Sequence, residues 1–193
     1  MSRQKGDIMR EVLISIQPKW CKLICSGEKT VEVRKNRPNC ELPLKCYIYC
    51  TKGKPTFTQS AFCDNVSNGK VIGEFICDRI DKGILRKSEF FDSVNITYDK
   101  TCVSLDEFEK YLGAKGALGE FEFYAWHITD LVVYDKPREL RDFKPYNRTE
   151  EDCKFSHLGL AIPKCKDCRE CYVKRPYQSW GYVEATEPRQ TAD

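Results

Sequence analysis

Residues 14–35 read ISIQPKWCKLICSGEKTVEVRK, and the fold turns on this stretch. Val12, Leu13, Ile14 and Ile16 lead into it as a short apolar run that suits a buried strand over Glu11–Ile16. Pro18 follows, placed as the first residue of a helix, where its missing N–H costs nothing. Trp20, Leu23 and Ile24 then fall at i, i+3 and i+4 and give one apolar helical face. Gly27 is a natural stop. Over Lys29–Lys35 the pattern changes to alternation, with Val31 and Val33 on one side and Thr30, Glu32 and Arg34 on the other. The stretch therefore predicts strand, short helix and strand, with charge on one face of the second strand.

Working outward, Lys45–Thr51 is a strand and the polar run 52–68 a long loop. KVIGEFICDRI, Lys70–Ile80, is a further strand, with Gly73 at a bulge or a close approach. Ser104 and Glu107 form a capping box that opens a helix over Ser104–Leu112. Glu120–Tyr134 is aromatic and β-branched and makes one bent strand or two, and Gln178–Glu184 a closing strand. Short strands without repeated strand–helix units predict an α+β fold, a compact mixed barrel rather than a doubly wound sheet. No GxGxxG or Walker A string follows a strand.

The chain has 193 residues, which suits one domain over 10–185 with frayed ends at 1–9 and 186–193. No apolar run approaches the ~20 residues of a membrane span. MSRQKGDIMREV lacks the apolar core of a signal peptide. A cytoplasmic chain is expected, which disfavours a disulfide scaffold for its twelve cysteines. The net charge of +3 conceals a polarity: 17–54 carries +6, 87–130 carries −5 and 163–175 carries +3. Cations interleaved with Trp20, Tyr47 and Tyr49 suit a polyanion with stackable bases, although charges on a solvated face are an equal reading of the counts.

Lys29, Glu32 and Arg34 put two cations around a carboxylate, with Lys19 in the preceding helical turn. The carboxylate would hold its neighbours in place, and Arg34 would offer a planar fork to an anionic or heterocyclic ligand. A structural ion-pair network is the competing reading. These residues resemble the opening of an ASCH domain, a PUA-like family, through PKW at Pro18–Trp20 and G-x-K-x-x-E-x-R at Gly27, Lys29, Glu32 and Arg34. VIGEF at Val71–Phe75 continues the likeness, and RPYQSWGYVE at Arg175–Glu184 resembles the closing segment of phage and Firmicute members. The resemblance implies a small β-barrel with short helices beside a cleft, in a bacterial or phage cytoplasm. It also implies binding of RNA, single-stranded nucleic acid or a nucleotide.

Carried over, Lys19, Trp20, Lys29, Glu32 and Arg34 bind ligand, with Thr51, Ser179 and Trp180 lining the cleft less directly. One branch resembles N4-acetylcytidine amidohydrolases, and there Lys29 and Glu32 would be catalytic. That branch has a Thr nucleophile where this chain has Glu32, which puts the same mechanism in doubt. A ribonuclease is the related alternative. His127, in an aromatic strand-like run, reads as a packed, hydrogen-bonded residue.

Cys165, Cys168 and Cys171 form C-x2-C-x2-C within an irregular C-terminal segment. With Cys153, or with His157 as the alternative fourth ligand, they suit a structural Zn²⁺ in an insertion over 153–176. Free thiols are the next reading, and similar spacing occurs at iron–sulfur sites. A metal-stapled adaptor is thus a third functional class. Cys21, Cys25, Cys40, Cys46, Cys50, Cys63, Cys77 and Cys102 read as small core hydrophobes.

Overall fold

The apolar run before Gln17 is apolar because it is covered on both faces. It forms β1 (Arg10–Ile16), in which Val12, Ile14 and Ile16 enter one core and Leu13 the other. β1 pairs in parallel with β3 (Leu44–Cys50) and antiparallel with β10 (Trp180–Ala185). β4 (Val71–Cys77), β8 (Thr129–Arg138) and β9 (Phe143–Pro145) complete a six-stranded sheet of order β8-β4-β3-β1-β10-β9. A second sheet has the order β2-β7-β5-β6, from β2 (Val31–Arg34), β5 (Ile80–Lys87), β6 (Asp92–Val94) and β7 (Gly119–His127). The computed structural model describes residues 9–53, 69–89, 92–94, 99–146 and 172–185.

The class is α+β, as expected, and the barrel takes the form of two open sheets. They are joined at two neighbouring corners. The chain passes from β4 to β5 at Asp78–Arg79 and from β7 to β8 at Ile128. His127 N–H donates to Arg79 O at 3.0 Å, and Ile128 N–H donates to Thr30 O at 2.9 Å, which pins both corners to the approach to β2. Glu120–Tyr134 is therefore two strands. The expected single strand Lys70–Ile80 is likewise divided, and IDKGILRK of β5 is a strand that the sequence reading missed. Its Lys82 and Arg86 face water, and it owes its conformation to pairing with β7 and β6. Gly73 is a close approach: a Cβ there would lie 2.4 Å from Val132 O of the adjacent strand.

Among the described residues, two α-helices flank the sheets. α1 (Pro18–Cys25) has Pro at its start and buries Cys21 and Ile24, and Gly27 follows its end at φ +79°. α2 (Leu105–Leu112) carries the predicted capping box, Ser104 with Glu107, and ends at Gly113 in the left-handed conformation. Its Phe108 meets Phe123 of β7 edge to face at 4.7 Å. One core lies between the sheets and includes Trp126. A second lies on the outer face of the six-stranded sheet, and a third lies between β7 and α2.

Cys21, Cys46, Cys50 and Cys77 are buried, as expected, while Cys25, Cys40 and Cys102 are half-buried. Cys63, Cys153, His157, Cys165, Cys168 and Cys171 lie outside the described residues. Among the described residues, no group of three or more His, Cys, Asp or Glu side chains is placed to hold a metal ion. No helix among them is long and apolar enough to cross a membrane.

Candidate functional site

β2 is an edge strand, and the charged residues around it serve that edge. Lys29 Nζ donates to Val31 O at 2.8 Å and to Thr101 O, and lies 3.3 Å from Glu32 Oε2. Arg34 Nη1 donates to Glu32 Oε1 and to Val33 O, the latter at 2.9 Å, and its Nη2 donates to Ser15 O at 2.7 Å. Thus Lys29 and Arg34 cap carbonyls of β2, with Glu32 between them. All three are buried, with 1%, 4% and 6% of their surfaces exposed. Burial pushes the Lys29 ammonium below its ordinary range, and the Glu32 carboxylate only partly offsets this. Arg34 Nε is buried with no hydrogen-bond partner among the described residues. Two cations against one carboxylate leave the cluster net positive.

A groove of about 490 Å³ lies beside this triad, with Val33 and Val103 in its lining. One wall comes from α1 and the residue before it: Gln17, Lys19 and Trp20. The other comes from α2, through Glu107, Lys110 and Tyr111. Lys19 Nζ sits 4.1 Å from the centre of the Trp20 ring and Lys29 Nζ sits 5.2 Å from it, so the indole has a cation on the surface and another in the interior. Lys19 also pairs across the groove with Glu107, whose carboxyl that ammonium holds below the usual range. Burial raises the Tyr111 hydroxyl, and the nearby Arg34 guanidinium acts against that rise.

The structure sorts the predicted site residues into four places. Lys19 and Trp20 line the groove, while Lys29, Glu32 and Arg34 form the buried triad. Thr51 lines a separate pocket of about 880 Å³. Ser179 and Trp180 stand at the start of β10, in neither cavity lining. Ser15 N–H donates to Ser179 O at 2.8 Å. Trp180 packs on Trp126, with ring centres 5.6 Å apart, and donates to Asn36 Oδ1 at 2.8 Å. The wall from α2 was missed by sequence reasoning. Its capping box and Phe108 announce a packed helix, but nothing local says that Glu107 meets Lys19, 88 positions away. His127 is held by Asp81 at 2.8 Å and by Arg79, in keeping with a packed, hydrogen-bonded residue.

Compared with known protein families, residues 14–180 match the ASCH domain. Among solved structures, the chain is similar to an ASCH protein from Zymomonas mobilis at 19% identity and a TM-score of 0.52, covering 91% of this chain and 88% of that one. A tyrosine-to-phenylalanine variant of that protein is similar at 19% identity and a TM-score of 0.51, with 91% of each chain covered. At this identity the likeness bears on the fold. No curated protein matches the chain.

Proposed function

The chain belongs to the ASCH domain family, a PUA-like family often linked to RNA binding, and from that premise we propose that the groove between α1 and α2 binds one nucleotide unit of RNA or another single-stranded nucleic acid. The observation that carries this reading is Trp20, an aromatic face in a groove wall with Lys19 and Lys29 beside its ring. A base stacks on such a face, and Lys19 exchanges Glu107 for a phosphate. The net-positive triad behind the groove favours an anion without touching it. The groove's volume suits a nucleoside-sized group.

Titration with single-stranded RNA tests this. Trp20→Ala is expected to cost about 1–3 kcal/mol of binding. Lys19→Ala is expected to weaken binding and lower its salt dependence. RNA binding unchanged in both variants would overturn the proposal.

A hydrolytic reading draws support from Lys29, whose ammonium releases its proton more readily than an exposed lysine's. Both Glu32 oxygens, however, face cations. Turnover of N4-acylated cytidines or labelled RNA by the purified protein, abolished by Lys29→Met in a folded variant, would establish this reading, and no turnover would sink it. The structural zinc site proposed at Cys153, Cys165, Cys168 and Cys171 is tested by elemental analysis of protein purified without added metal. A metal-free result excludes it.

A further inference from the structure

The larger cavity, of about 880 Å³, lies on the other side of the turn that begins α1. Its rim carries Lys52 from the loop after β3, Arg141 from the 3₁₀ turn Leu140–Asp142 and Arg175 from the segment leading to β10. These three exposed cations come from distant parts of the sequence and have no ion-pair partner among the described residues. Many other surface cations are paired, as in Lys45–Glu74, Arg86–Glu120 and Lys115–Asp106. The carboxylate of the pocket lining, Glu139, is itself neutralised by Lys70. Behind the rim, Tyr172 and Val173 are buried, and Val173 N–H donates to Phe143 O at 2.8 Å, which fixes the wall to β9.

The two cavities are lined by adjoining segments. Thr51 N–H donates to Ile16 O at 2.9 Å. A Cβ on Gly53 would lie 3.1 Å from Pro18 Cγ. The loop that carries Thr51 and Lys52 therefore abuts the turn that carries Gln17 into the groove. We infer that this basic pocket is a phosphodiester subsite for the strand leaving the groove, so that the ligand is a chain of several nucleotides rather than a free mononucleotide. The inference rests on the groove reading above. Unpartnered cations around an open pocket attract successive phosphates, each contact displacing a condensed counterion, and they do so without reading bases.

The test uses the full chain, fluorescence anisotropy with a labelled octanucleotide of single-stranded RNA, and calorimetry with a mononucleotide. Wild type is expected to bind the octanucleotide more tightly. The triple variant Lys52→Ala, Arg141→Ala, Arg175→Ala is expected to lose that advantage, to flatten the slope of log K against log salt by about 2 and to keep its mononucleotide affinity. Its melting temperature checks that it folds.

An octanucleotide affinity and salt slope unchanged in the triple variant would overturn the subsite, as would a wild type indifferent to length. Polyglutamate displacing the octanucleotide at equal charge would show a site for acidic chains in general and also overturn it. If the rim variants weaken octanucleotide binding while Lys19→Ala and Trp20→Ala do not, the groove reading fails and with it a subsite for a strand leaving the groove, and the rim binds phosphates by itself. If wild type binds neither ligand, both fail.

Discussion

Lys29 and Arg34 lie in the same basic stretch of sequence as Lys52, yet the fold puts them to opposite uses. The first two are buried beside β2 and are engaged by Glu32 and by carbonyls of their own strand, of Ser15 and of Thr101. Lys52, with Arg141 and Arg175 brought in from elsewhere, stands exposed at the rim of a pocket. A cation taken out of water must be paired and hydrogen-bonded, so it becomes scaffolding. A cation left in water without a partner keeps its field for a ligand. The difference teaches that a basic stretch is not yet a basic surface: the positive charge on 17–54 is divided between the two roles.

The contrast predicts unequal responses to mutation. Glu32→Gln leaves Lys29 and Arg34 buried without their shared carboxylate, and urea unfolding should show a loss of about 3–5 kcal/mol. A loss near zero would mean that the triad is not held by its charges. Lys29→Met exposes the same dependence through pH. Because Lys29 binds its proton less tightly folded than unfolded, the unfolded chain holds more protons between the lowered folded value and the ordinary 10.5. Wild-type stability relative to Lys29→Met should therefore rise with pH across that window, by at most about 1.4 kcal/mol per pH unit. A flat difference curve would indicate that burial does not perturb Lys29.

Smaller effects are expected further from the triad. Ser104→Ala removes the cap of α2, which supplies a groove wall, and should cost about 1 kcal/mol in thermal unfolding. If α2 frays as a result, RNA binding should weaken as well. At the far end of the scale, Lys52→Ala and Arg175→Ala should each change stability by less than about 0.5 kcal/mol, as surface substitutions do. A larger loss in either would place that residue with the scaffolding cations and erase the distinction.

Local signals carried much of the fold. The double-sided burial of β1 is written in four apolar residues, the start of α1 in Pro18, the cap of α2 in Ser104 and Glu107, and the close approach of β8 in Gly73. β5 was illegible because a strand with a solvated face depends on its neighbours for its hydrogen bonds. In the site, Lys29, Glu32 and Arg34 could be grouped from their spacing. Trp180 was expected to line the cleft, and its contact with Trp126, 54 positions away in the chain, had no local signal.

The sequence by itself determined which residues form the helices and most strands, and which charges sit near one another along the chain, because those follow from local periodicity and capping. Only the tertiary structure decided which cations are buried, which stand at a rim, and that α2 faces Trp20. Desolvation and pairing depend on atoms contributed from distant segments, and no local pattern encodes where those segments meet.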